Sequence, residues 1–142
     1  MKSLCGLKVA VETGTVEQTD AQTTAKTCGS KKMTVLSFQT QTQANVAVSS
    51  GQADLGFLDS QIADHVVATS NGAFKSVGSA VNVAPYGIAT PKSASGKALA
   101  MAIQMALQTL ISNGTYNAIL AKWGVSSGAL TSSKIVLNGA TS

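Results

Sequence analysis

Lys8-Val9-Ala10-Val11-Glu12-Thr13-Gly14-Thr15 is the stretch on which the reading of the fold turns. Its apolar centre has the character of a buried strand, and Thr-Gly-Thr supplies the turn that ends it. Residues 16–27 follow as a mostly polar helix, with Thr15 at the N-cap and Glu17 and Asp20 early. Such a strand-to-helix turn leaves backbone N–H groups unpaired at the helix start, where carboxylates and phosphates are attracted. Farther along, Ala53-Asp54-Leu55-Gly56-Phe57-Leu58 reads as another short buried strand and brings Asp59 to its C-terminal end. An anion-attracting turn and a lone carboxylate at the ends of two strands are complementary to the two charges of a zwitterion.

The same pattern recurs between and after these stretches. Residues 34–38 read as a strand, 39–50 as a helix stopped by Gly51, and 60–69 as a third helix before the turn at Ser70-Asn71-Gly72. Residues 74–77 and 86–90 read as fourth and fifth strands. This alternation predicts an α/β fold, a mostly parallel five-stranded sheet flanked by helices. Beyond Pro91 the character changes. In residues 97–112, Leu99, Ile103, Ala106, Leu107, Leu110 and Ile111 fall on one helical stripe. Asn113-Gly114 ends that helix, and Thr115 is placed to cap a second one bearing Tyr116, Ile119, Leu120 and Trp123, closed by Gly124. The expected organisation is residues 1–90, two C-terminal helices within 91–125, and a Ser/Gly/Thr-rich tail over 126–142.

The 142 residues are 44% hydrophobic and 11% charged, which describes a folded chain rather than a disordered one. A formal charge of +4 arises from ten lysines and no arginine, and aromatics are 4%, so nucleic acid is not an expected partner. Neither a metal site nor a cofactor is expected, because no His or Cys cluster has ligand spacing. Cys5 and Cys28 read either as a disulfide joining the start of the first strand to the end of the first helix or as two core thiols. Bridged, they would constrain the unfolded chain by about 3 kcal/mol and place the protein outside the cytoplasm. Met1-Lys2-Ser3-Leu4 carries no export signal. A bridged pair without such a signal leads to the expectation of a chain shortened at its amino end.

In order and spacing, four pieces resemble the second half of family 3 of the bacterial extracellular solute-binding proteins, the amino-acid receptors of ABC importers. They are Lys8-Val9-Ala10-Val11 with Gly14-Thr15, Gly51-Gln52-Ala53-Asp54 with Asp59, Pro85-Tyr86-Gly87-Ile88-Ala89 with Pro91-Lys92, and Asn113-Gly114-Thr115-Tyr116 with Lys122-Trp123-Gly124. The Cys5/Cys28 placement is similar to a disulfide in some Gram-positive members. The resemblance implies a periplasmic-binding-protein type II lobe, here lobe two, with residues 86–90 as the crossing back to lobe one and the helices after Pro91 packing on lobe one. It implies an extracytoplasmic parent that captures a free amino acid for a membrane permease, and that the segment carrying most of lobe one is missing here. It implies further that the turn at Thr13, Gly14, Thr15 and Val16 meets the ligand's α-carboxylate and that Asp59 accepts its α-ammonium.

Plainer readings stand beside these. Asp59 also reads as an N-cap, Thr13-Gly14-Thr15 as an ordinary turn, Glu12 as a solvated carboxylate, His65 as a helix-surface residue, and Tyr116 and Trp123 as core anchors. An enzyme, a dehydratase on the same fold, would draw only on Asp59, Glu12 and His65 and is not expected. An interaction module that forms homo-oligomers through the C-terminal helices is the remaining alternative.

Overall fold

The computed structural model describes residues 2–139. It divides into two compact units, Met1–Lys75 and Ser76–Ser142.

The first unit is built on β1 (Lys8–Glu12), whose Val9, Ala10 and Val11 are each 0% exposed. Three consecutive buried residues require cover on both faces of the strand, as in a parallel sheet between helical layers. β1 lies between β2 (Thr34–Phe38) and β3 (Leu55–Gly56), and both pairings are parallel. Because strand side chains alternate, β1 feeds two separate cores. Val9 and Val11 pack with Met33 and with Ala21 of α1 (Val16–Lys26). Ala10 packs on the opposite side with Ala53 and with Ala44 and Ala47 of α2 (Gln41–Ser49). The small alanine side chains leave room for α2 to lie close to the sheet.

Local chemistry sets the element ends. Thr15 and Thr40 cap α1 and α2, their hydroxyls accepting from the Gln18 and Gln43 amides. α3 (Ser60–Thr69) begins after Asp59 with no side-chain cap bond. Cys5 and Cys28 form a disulfide with a Cα–Cα separation of 5.3 Å, tying the approach to β1 to the end of α1.

The second unit contains α4 (Ala94–Ser112) and α5 (Thr115–Trp123), which pack on each other. Ser93 caps α4, its hydroxyl accepting from the Gly96 amide at 3.0 Å. Gly96 is buried, and a Cβ there would fall on the Pro91 carbonyl oxygen. Gln104 Nε2 donates to the Ile135 carbonyl at 2.8 Å, and the Leu130 amide donates to Tyr116 Oη at 3.3 Å, so the last part of the described chain is held to both helices.

Several sequence expectations need correction. The sheet has three strands rather than five, since residues 74–77 and 86–90 form no strand. The two-residue β3 offers little edge for another strand to join, Asn82 sits at φ +52°, and Pro85 has no amide hydrogen to donate. Tyr86 is 71% exposed, so no sheet face covers this segment. β3 is shorter than the expected 53–58 because the Lys8 amide bonds Asp54 Oδ2 at 2.7 Å, a side-chain acceptor in place of a ladder carbonyl. The chain still runs alongside β1 there, with the Asp54 amide donating to the Lys8 carbonyl and the Phe57 amide to the Ala10 carbonyl, both at 2.9 Å. α4 starts three residues earlier than expected because Ser93 supplies its cap. α5 is entered through Gly114 at φ +81°, with Thr115 as its first residue rather than its cap. Trp123 is 55% exposed and is not a core anchor.

This architecture makes two stability outcomes testable. Gly96→Ala forces a methyl against the Pro91 backbone and is expected to destabilise the second unit by about 1–3 kcal/mol in urea denaturation. Cys5→Ser, or reduction of the bridge, is expected to lower the stability of the first unit by about 3 kcal/mol, and an unchanged midpoint on reduction would contradict the bridge.

Candidate functional site

Parallel strands all end at one edge of their sheet. The β1–β3 register sets Ala10 level with Gly56, so the residues beyond β3 run beside those beyond β1. At this edge Glu12, Thr15, Glu17, Gln41, Phe57, Leu58, Asp59 and Ile62 line a pocket of about 120 Å³. Strand ends, the α1 entry, the α2 entry and the first turn of α3 each contribute to it. Phe57 and Leu58 are half-buried and form its apolar floor, whereas Asp59 and Ile62 are less covered and leave one side open.

Of the residues singled out from the sequence, Thr15 and Asp59 line this pocket together. Thr13 and Gly14 belong to the same turn, but their amides are engaged within the protein. The Thr13 amide donates to the Phe38 carbonyl at 2.8 Å, which extends the β1–β2 ladder. The Gly14 amide donates to Gln18 Oε1 at 2.9 Å, and Gln18 Nε2 in turn donates to Ser37 Oγ at 2.9 Å. Thr15 Oγ1 donates to the Glu12 carbonyl at 2.8 Å while accepting from the Gln18 amide at 3.2 Å. These bonds hold the turn rigid. They move the donors suited to an anion one step along the chain, to the first-turn amides of Val16 and Glu17, which have no carbonyl four residues back within α1. The Val16 side chain is exposed and is not among the pocket residues.

Glu12, read from the sequence as a solvated carboxylate, is a wall of the pocket, and Glu17, Gln41, Phe57, Leu58 and Ile62 line it without any sequence motif having marked them as site residues. Three carboxylates therefore border the pocket, and no lysine does. Among the described residues no group of three or more His, Cys, Asp or Glu side chains is arranged to hold a metal ion. The signal for Glu12 and Glu17 was present in their spacing: each lies within three residues of Thr15, at the end of a strand or in the first turn of a helix. Gln41 and Ile62 enter only through the order of the strands.

Over 135 residues the chain is 36% identical to the arginine-binding protein ArgT of Corynebacterium glutamicum, an alignment covering 91% of this chain and 43% of that protein. The chain thus spans less than half the length of this relative. No family model matches it, and no solved structure matches it. The similarity is to an amino-acid-binding protein, one named for binding rather than for turnover.

The turn itself can be tested apart from any ligand. Gly14 stands at φ +83° with open space around a would-be Cβ. Gly14→Ala is therefore expected to cost about 1–2 kcal/mol through backbone conformation alone, read as a lowered urea midpoint. A variant as stable as the parent would show that the turn relaxes out of this conformation.

Proposed function

We propose that this chain is the second lobe, with the C-terminal helices, of an extracytoplasmic binding protein that captures a free basic amino acid for an ABC-type permease. The observation that carries the reading is the convergence of the α1 entry and Asp59 on one pocket bordered also by Glu12 and Glu17. An amino acid's α-carboxylate suits the free amides at the α1 N-terminus, where a partly buried anion gains up to about 2 kcal/mol. Its α-ammonium suits Asp59 through a charge-assisted hydrogen bond. A second cationic group on the ligand would offset one of the two remaining carboxylates, in line with the arginine-binding relative. The Cys5–Cys28 bridge supports an oxidising compartment.

In this reading the complete receptor closes on its ligand because contacts in both lobes favour the closed state. Residues of one lobe supply half of those contacts. Binding by this chain alone is accordingly expected to be weak, with a Kd of about 1 mM or above.

The test is a titration of the chain with L-arginine, read by amide chemical shifts. Shifts are expected at residues 12–17 and 57–62, larger for L-arginine than for L-glutamate and lost in Asp59→Asn. Shifts confined to other residues, or none at saturating ligand, would refute the site. Micromolar affinity by calorimetry for the monomer would refute the division of the ligand contacts between two lobes.

A further inference from the structure

The side chains that border the pocket at the sheet edge are rich in hydrogen-bond acceptors. Glu12, Glu17 and Asp59 bring carboxylates to it, and an ionised carboxylate only accepts. Thr15 adds a hydroxyl whose one proton is committed to the Glu12 carbonyl at 2.8 Å. Gln41, the first residue of α2, carries the remaining polar group among the lining side chains, an amide that can present either a donor or an acceptor. Its Nε2 donates to Asn45 Oδ1 at 2.8 Å, and both residues are half-buried. Asn45 stands one helical turn farther along α2 and is not a lining residue. The nitrogen end of the Gln41 amide is thus drawn along the helix toward a residue outside the pocket. Among the described residues no hydrogen bond is donated to its Oε1, so the oxygen is the end left to meet a ligand.

We infer that Gln41 is a specificity-determining residue of this site, a neutral acceptor for a guanidinium, and that Asn45 is the positioning residue that fixes which end of its amide is presented. Resting on the amino-acid site proposed above, this role narrows the ligand class from basic side chains to those ending in a guanidinium. Three carboxylates already oppose a ligand's α-carboxylate. A fourth would strengthen that repulsion, whereas an amide oxygen takes an N–H without adding charge. A guanidinium presents five N–H donors in a planar fork and is weakly hydrated, so several acceptors along one wall suit it. A lysine-type ammonium is compact and strongly hydrated, with three donors that water satisfies through the open side of the pocket. The Gln41 oxygen therefore adds more for the first cation than for the second. The same amide turned about would place a donor against either cation, and the bond to Asn45 holds it in the accepting orientation.

Parallel titrations of the chain and its variants with L-arginine and L-lysine, followed by amide shifts at residues 12–17 and 57–62, test both roles. The parent is expected to bind L-arginine more tightly than L-lysine. Gln41→Leu is expected to weaken L-arginine about fivefold, the effect of one hydrogen bond, and L-lysine by no more than about twofold. Asn45→Ala is expected to narrow the same preference, and to narrow it no further in a Gln41→Leu background. Asn45→Asp, which still accepts from Nε2, is expected to keep the parent's preference, and every variant to keep the parent's circular dichroism. A preference for L-arginine untouched by Gln41→Leu, or equal losses of the two ligands, would overturn the role of Gln41 and leave the amino-acid site standing. An Asn45→Ala effect that persists in full without Gln41 would overturn the positioning role. No shifts at these residues with either ligand in the parent would remove the site and both roles together.

Discussion

Everything in the first unit depends on the burial of Val9, Ala10 and Val11 on both faces of one strand. That burial requires neighbours on either edge and a helical layer above and below. The chain meets it with β2 and β3 in parallel and with α1 and α2 on opposite faces. Parallel pairing has a further consequence: the turns at the strands' C-terminal ends all lie along a single edge of the sheet. With β1 central, the α1 entry after β1 and Asp59 after β3 become neighbours although they are far apart in sequence. The pocket is thus a product of strand order rather than of any local motif.

The same logic explains which parts of this unit could be read from the sequence. β1, the Thr15 cap, the Gly51 stop and the bounds of α3 each rest on chemistry confined to a few residues: apolar runs, hydroxyl acceptors and glycine's tolerance of positive φ. Thr15 and Asp59 were recognisable because strand ends and helix starts mark them. Two of the cleft-facing acids, Glu12 and Glu17, were harder to see, since a carboxylate at a strand end or in a helix first turn is equally at home in solvent. Only the placement of the α2 and α3 entries beside them, through Gln41 and Ile62, makes those acids the border of a cavity.

Residues 74–77 and 86–90 show the opposite failure. Their β-branched and aromatic residues have the composition of strands, but composition records only the capacity to pair. A strand also needs a partner to hydrogen-bond with, and neither segment has one in the three-stranded sheet, whose order is β2-β1-β3. The C-terminal helices were readable as helices from their period of 3.6, and their half-buried residues agree with that period. What periodicity could not assign was the exposed strip of α4 at Ala98, Met101, Ala102 and Met105, because alanine and methionine at helical spacing are compatible with core, interface or solvent alike.

On the proposed reading, the charge arrangement at the pocket would constrain a ligand more than the pocket's shape would. Glu17 already lies in the first turn of α1, where its carboxylate answers part of the helix dipole. A ligand carboxylate arriving at the same amides meets that negative charge as well as Glu12 and Asp59. On the proposed reading a neutral zwitterion would offset only one of the three carboxylates, whereas a ligand with a second cationic group would offset two and so reduce the repulsion felt by its own carboxylate. At separations of a few ångströms near a protein surface such terms amount to a few kcal/mol. That is enough to separate basic from acidic amino acids even when the hydrogen bonds to the α-carboxylate and α-ammonium are identical. Selectivity by sign of charge would then reside in this lobe's wall, ahead of any contact to the end of the side chain.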